Sequence, residues 1–199
     1  MADHDLALPR LAPPGAGIPA IERLVGGVIL RLRRGLISRT GLLAQFARER
    51  SAIAALYEGR DDRVLSRRVL IPRLRGLEDS SRYWSVWMTL DHLRIVNNSI
   101  AGAISELARG RVPPGAASTA AVKPGERVGG EVVAPYQASC DRLAAVCESC
   151  SDLRTAVRYE HPWFGPLDGA GLLAMSAMHM GIHRVQITHI LRGAAGCES

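Results

Sequence analysis

Lysine is nearly absent from this chain, although the chain is basic overall. Lys123 is the only lysine, and 25 basic residues against 19 acidic residues give a formal net charge of +6. The arginines are spread along the sequence and interleaved with acids instead of forming a stripe. A nucleic-acid-binding domain needs a basic stripe or a known binding motif, and the sequence contains neither. We therefore expect no nucleic-acid partner.

Apolar runs of membrane-spanning length are also missing. The most apolar early segment, residues 24–32, is too short to cross a bilayer and is closed by Arg33 and Arg34. Residues 1–19 contain acids and four prolines where a signal peptide would have an apolar core. We expect a cytoplasmic protein that is not attached to a membrane.

Cysteines are few and do not suggest a disulfide framework. The chain has four, Cys140, Cys147, Cys150 and Cys197, all in its last third. A heptad separates Cys140 from Cys147, which is typical of core positions. The Cys147-x-x-Cys150 pair has no second ligand pair, so we do not expect a zinc or redox site there. We predict reduced thiols.

Strand signals are weak, since aromatic residues make up only 5% of the chain and helix-period apolar patterns dominate. With 199 residues, of which 47% are hydrophobic, the chain suits one domain with a full core. We predict a disordered or loosely packed tail over residues 1–19, one all-α four-helix bundle over 20–194, and a C-terminal tail over 195–199. The predicted helices are residues 20–58, 81–108, 132–158 and 169–193.

Glycines and long connections are expected to interrupt the helices and to affect how they are connected. Gly35 and Gly41 are expected to bend or interrupt the first helix. The connection over residues 59–79 carries enough apolar residues to lie against the bundle. Residues 110–131 form a crossover that is rich in small residues, so the topology need not be a simple up-and-down one. Asp168 is the expected N-cap of the last helix.

Two histidines of the last helix point to a metal site. His179 and His183 lie one turn apart on the same helix face, so both imidazoles can reach one metal ion. Gln186 continues that face, and apolar residues surround it. A buried imidazole pair is costly without partners, and a metal ion satisfies it.

A third histidine, His92, lies in the middle of the predicted second helix, on a face that is mostly apolar or small. The three imidazoles can therefore meet at half the height of the bundle. Three neutral imidazoles leave at least one coordination position open, as in catalytic metal sites. Activated water would give hydrolysis and an activated thiol would give transfer of sulfur, and the residues leave both open. Met180 stands where a His-Glu-x-x-His metalloprotease motif has its glutamate, which excludes that general base.

Three stretches resemble the DinB-like (DNA-damage-inducible) superfamily. They are residues 84–93 with their two tryptophans and His92, the loop over residues 161–167, and the His179-x-x-x-His183-Arg184-x-Gln186 segment. The resemblance implies a four-helix bundle that holds a divalent metal, nickel or zinc, with His92, His179 and His183. It also implies an activity in which a low-molecular-weight thiol is transferred or serves as a cofactor.

Several further residues are candidates for the pocket or for supporting the ligands. They are Gln186, Asp91, Asp168, Trp87, Met88 and His161. Asp168 fits a helix cap better, and Arg184 and His189 are expected at the surface. Three function hypotheses follow: a metal-dependent enzyme of the thiol-transferase type acting on a small molecule, a non-catalytic bundle that binds a metal or small ligand, and a metal-dependent hydrolase. Exposed apolar stripes on the long helices make a homodimer plausible.

Overall fold

Helices form most of the fold, and two short antiparallel strand pairs accompany them. The computed structural model describes residues 9–195. Its helices are α1 (Ala20–Leu36), α2 (Arg39–Tyr57), α3 (Asp62–Ser66), α4 (Val86–Ala108), α5 (Val133–Ser149) and α6 (Gly169–Ala195). The strands are β1 (Val69–Leu70), which pairs with β2 (Tyr83–Trp84), and β3 (Tyr159–His161), which pairs with β4 (Gly165–Leu167).

Helices α2, α4, α5 and α6 pack against one another and form the predicted four-helix bundle. Leu90 and Leu93 of α4, Leu143 of α5 and Ile187 of α6 are fully buried in the shared core. Helix α4 is buried on most sides, which fits the many apolar and small residues in its sequence. No helix between residues 9 and 195 combines the length and the apolar character that a bilayer crossing requires.

The predicted first helix is two helices. Ile37 is extended, and the side chain of Ser38 accepts a hydrogen bond of 3.1 Å from the backbone N–H of Gly41, so Ser38 starts α2 as its N-cap. The break therefore lies between Gly35 and Gly41 and not at either glycine. Helix α2 joins the bundle, whereas α1 lies beside α6 and buries only Leu30.

Two other helix boundaries differ from the predicted ones. The second bundle helix begins at Val86, because Ser85 caps it by accepting from the N–H of Met88, while residues 79–81 form a 3-10 turn. The third ends at Ser149 and not at residue 158. Beyond it, the buried Leu153 accepts a hydrogen bond of 2.8 Å from the N–H of Ala170, which holds this connection against the start of α6.

The last helix begins where the sequence predicts. Asp168 accepts a hydrogen bond of 2.8 Å from the N–H of Gly171 and also pairs with Arg34.

Residues before α1 contact the bundle. The N–H of Ala12 donates to Asp79 and that of Gly17 donates to Glu78, while Ile18 is buried. Residues 1–8 and 196–199, with Cys197, lie outside the described part of the chain.

Candidate metal centre

Helices α4 and α6 bring three histidines together. His92 lies in the second turn of α4, nearer its start than the middle position that the sequence suggested, because α4 begins at Val86. His179 and His183 lie one turn apart on α6. The Nε2 atom of His179 is 3.1 Å from that of His92 and 3.0 Å from that of His183. No other histidine, cysteine, aspartate or glutamate among residues 9–195 belongs to this cluster.

Hydrogen bonds at the opposite ring nitrogens fix two of the imidazoles. The Nδ1 atom of His92 is 2.6 Å from the carbonyl oxygen of Val122, and the Nδ1 atom of His183 is 2.6 Å from Oε1 of Gln186. Both partners accept, so each Nδ1 carries the proton and each Nε2 presents a lone pair to the other histidines. Metal-ligating histidines are commonly oriented by such a bond at the second nitrogen.

Burial keeps the three rings neutral. It lowers the pKa of His92, His179 and His183 well below the ordinary value, and the neighbouring imidazoles lower these pKa values further. Neutral imidazole is the form that binds a metal ion.

The donor set fits a single divalent ion. Metal–nitrogen bonds of about 2.0–2.1 Å place two ligand nitrogens roughly 2.8–3.4 Å apart for octahedral to tetrahedral angles, and the observed separations lie within that range. A proton on the Nε2 atom of His179 could form a hydrogen bond with only one of the two neighbouring histidines. The Nδ1 atom of His179 would then be unprotonated and would have no hydrogen-bond donor beside it. That Nδ1 atom is buried without a hydrogen-bond partner, so hydrogen bonds alone do not satisfy the cluster.

Gln186 supports the site. Its side chain is fully buried, its Oε1 atom holds His183, and its Nε2 atom donates a hydrogen bond of 2.7 Å to the carbonyl oxygen of Ser81. Helix α6 is thereby fastened to the turn that precedes β2. The sequence singled out Gln186 from its helix face and from the segment that resembles the DinB-like superfamily.

Other sequence candidates occupy different places. Asp91 pairs with Arg94 and accepts from the N–H of Gly125, and it makes no hydrogen bond to a ligand histidine. Trp87 donates to Asp62 instead of facing the histidines. Met88 is buried, but it does not line the cavity beside the three imidazoles.

The tryptophan at the site is Trp84, which the sequence analysis did not single out. Its ring is stacked at an interplanar angle of 9° on His183, with centroids 6.3 Å apart, and lies 5.2 Å from the ring of His92. Lys123 was also missed as a site residue. Its ammonium lies over Trp84 and bonds the buried Glu78 at 2.7 Å. Its status as the only lysine was the one signal in the sequence that could have marked it.

A cavity of about 210 Å³ adjoins the three histidines. Its walls are mainly apolar and come from α1, α4, α6, the crossover and the loop between β3 and β4. His161 lies on this wall, where the sequence placed it, and its ring stacks on Phe164. The three imidazoles therefore face a space in which a small molecule can lie.

The remaining predicted residues take structural roles. Arg184 pairs with Glu49 at the surface, and His189 is half-buried further along α6. Cys140 and Cys147 are fully buried, and burial raises the pKa of their thiols to about 11 and about 12. Thiols with such pKa values are poor nucleophiles and ligands, so they belong to the core.

Comparison with known proteins agrees with this architecture. The family model described as the DinB superfamily matches residues 42–187. The chain belongs to the DinB superfamily. Helices α4 and α5 and most of α2 and α6 lie within the matched range, as do all three histidines of the cluster.

One solved structure with the same fold as this DinB-superfamily chain is a crystal structure described as a four-helix bundle protein. It has a TM-score of 0.55, 22% sequence identity, and coverage of 76% of this chain and 98% of the other. At that identity the likeness shows the fold alone. No curated protein matches the chain.

Proposed function

We propose that this protein is a metal-dependent enzyme that binds one divalent ion, nickel or zinc, through His92, His179 and His183. The observation that supports this most directly is the convergence of three histidines beside a cavity, with the Nε2 atom of His179 3.1 Å from that of His92 and 3.0 Å from that of His183. A structural site would normally hold four protein ligands, and the described residues provide three. The open coordination position would face the cavity.

For the reaction, we propose transfer of a thiol or thiol-dependent chemistry on a small molecule. An ion in such a site lowers the pKa of a bound thiol or water. The chain's own residues orient the ligands through Val122 and Gln186, and apolar walls exclude water. Hydrolysis in the zincin manner needs a carboxylate base beside the ion, and no carboxylate of residues 9–195 joins the cluster. A thiol needs no such base, which favours thiol chemistry over hydrolysis.

Elemental analysis of the purified protein tests the site. We expect one nickel or zinc ion per chain in the wild type, and loss of that ion in His92→Ala and in His179→Ala. His189→Ala is the matched control, because it removes a histidine of the same helix that lies outside the cluster, and it should keep the ion. A wild-type protein that stays metal-free when offered nickel or zinc would refute the proposal.

A second measurement separates an enzyme from a binding bundle. Cobalt(II) in the site would report a bound thiolate through a new charge-transfer absorption band. A band that appears on adding a thiol supports an open position. If no added thiol or other small ligand changes the cobalt spectrum, the site is closed and the protein is a non-catalytic metal binder.

A further inference from the structure

The wall of the cavity is apolar along most of its length. Val96 and Ile100 of α4 face Met175, Met178 and Ile182 of α6 across it. Its volume of about 210 Å³ is below the roughly 300–1,000 Å³ of sites for drug-sized ligands. It is nearer to engineered cavities of about 150 Å³, which accept benzene. A compact molecule fits this space.

Charged groups in the wall already have partners. Glu78 binds Lys123, and Glu22 accepts from Arg73 and from the backbone N–H of Gly76. A peptide thiol such as glutathione carries two carboxylates and an ammonium group, and all three would lie against apolar wall or displace an existing ion pair. Burying charges without partners is costly, so a ligand of that class is disfavoured here.

One residue of the wall, His161, has a ring nitrogen of defined chemistry that has no hydrogen-bond partner among residues 9–195. The Nδ1 atom of His161 accepts a hydrogen bond of 3.1 Å from the N–H of Trp163, so the ring proton is on Nε2. Burial lowers the pKa of His161 to about 4, which keeps the ring neutral at pH 7. No hydrogen bond joins Nε2 to another group among residues 9–195, and Phe164 holds the ring by stacking at a centroid distance of 5.0 Å.

We propose that the ligand of this cavity is a compact, mainly apolar molecule with a metal-binding group at one end and a hydrogen-bond acceptor that binds the Nε2–H of His161. This inference rests on the proposed metal site, and it narrows the thiol or thiol-derived substrate to the apolar class. Met175, Met178 and Ile182 would enclose the body of the molecule, and His161 would fix its orientation.

The apolar class is tested by comparing two thiols on the cobalt-loaded full chain. We expect phenylmethanethiol to produce the thiolate band at a concentration at least tenfold lower than glutathione does. Equal or tighter binding of glutathione would overturn the proposal. The Met175→Gln variant replaces an apolar wall group by a polar one of similar size. It should weaken binding of phenylmethanethiol several-fold while the cobalt content stays at one.

The role of His161 is tested with ring isomers of the same probe. The 3- and 4-pyridylmethanethiols keep the shape of phenylmethanethiol and place one acceptor nitrogen at two positions from which it cannot chelate the ion together with the sulfur. We expect at least one isomer to bind about five- to tenfold more tightly than the phenyl compound, which matches one net hydrogen bond. If neither isomer gains affinity, the proposed donor role is wrong.

Two variants separate the hydrogen-bond donor role of His161 from its structural role. His161→Asn keeps an acceptor for the N–H of Trp163 but loses the ring donor, whereas His161→Phe keeps the stacking on Phe164 and loses both hydrogen-bonding nitrogens. In both variants the pyridyl thiols should bind no more tightly than phenylmethanethiol, and the metal should stay bound. Persistence of the gain in either variant would overturn the role of His161. Loss of metal from the wild type would instead refute the metal site itself.

A second inference comes from the exposed face of α1. Seven large aliphatic residues of this helix are 42–81% exposed, and none of them is buried against the bundle. They follow one another at helical spacing and form a continuous apolar stripe, which we call the α1 stripe: Ile21, Leu24, Val25, Val28, Ile29, Leu32 and Leu36. Stripes of this size on soluble proteins mark interaction sites.

We infer that a second copy of this chain covers the α1 stripe, with the two α1 helices antiparallel. Around a two-fold axis at Val28, Leu24 of one copy would lie opposite Leu32 of the other, and Val28 opposite its own counterpart, so leucines and valines of the stripe would meet across the axis. A stable interface needs roughly 800 Å² per partner, and seven side chains with this exposure offer an area of that order.

Sedimentation velocity tests this dimer. We expect a dimer for the wild type, at least tenfold weaker association for Leu24→Glu, and restored association for the double variant Leu24→Glu/Leu32→Arg, in which opposite charges would face each other twice. Leu70→Glu, at an exposed leucine outside α1, is the control and should stay dimeric. The inference would be overturned by a wild type that is monomeric, by a monomer that binds anionic lipid vesicles, or by a double variant whose association is not restored.

Discussion

At the scale of single residues, Gln186 and Asp91 were both candidates to support the metal ligands, and the structure separates them. Gln186 bonds His183 and Ser81 with its two amide atoms, whereas Asp91 bonds Arg94 and Gly125. We expect Gln186→Leu to weaken zinc or nickel affinity by about 10- to 100-fold, because His183 loses the bond that orients it. Asp91→Asn should change the affinity less than about threefold. Competition with a chromophoric chelator measures both, and equal losses would contradict the geometry.

At the scale of elements, one largely buried ion pair joins the crossover between α4 and α5 to the segment before β2. Lys123 of the crossover binds Glu78, whose side chain is 4% exposed, while Val122 next to it orients His92. Lys123→Met should lower the free energy of unfolding by about 2–3 kcal/mol. That is less than for a fully buried pair, because Lys123 is 19% exposed. Arg111→Met, at the more exposed pair with Glu106, should cost less than about 1 kcal/mol. Urea denaturation at pH 7 compares them.

The same ion pair predicts how stability depends on pH. Burial by itself would raise the pKa of Glu78, but hydrogen bonds from Lys123, Thr119 and Gly17 outweigh it and hold the pKa below the ordinary 4.5. A carboxyl whose pKa is lower in the folded state stabilises the fold fully above its unfolded pKa. That contribution is lost as the pH falls through the folded pKa. We expect Glu78→Gln to flatten the decline of unfolding free energy below about pH 4.5. An unchanged acid slope would show that Glu78 does not contribute to it.

At the scale of the whole molecule, His92 lies 87 residues before His179 in the sequence, so a bound ion would tie α4 to α6 across the bundle. An ion that binds only the folded state at a hundredfold excess over its dissociation constant adds about 2.7 kcal/mol of stability. For a chain of this length that raises Tm by roughly 5–11 °C. Calorimetry with and without zinc should show this shift in the wild type and in His189→Ala, and none in His183→Ala.

The sequence by itself determined the fold class and the shared helix face of His179 and His183, whereas His92 was assigned from its depth in the predicted helix and from the family resemblance. Helix periodicity marked the bundle helices, and the spacing of four between His179 and His183 fixed one shared face whatever the partner helix. Asp168 predicted the start of α6, because an N-cap side chain bonds backbone N–H groups in the first turn of its own helix. These features depend on neighbours in the sequence, and local chemistry reveals them.

Only the tertiary structure decided what lies around the cluster. Val122, Trp84 and Lys123 reach the site from a crossover and a short strand that have no periodicity, and a backbone carbonyl such as that of Val122 carries no signal in the side-chain sequence. The N-cap at Ser38 is by contrast a local feature, and the sequence interpretation missed it. The positions of residues distant in sequence follow from how the helices pack, and for that reason the cavity and its lining could not be predicted from the chain alone.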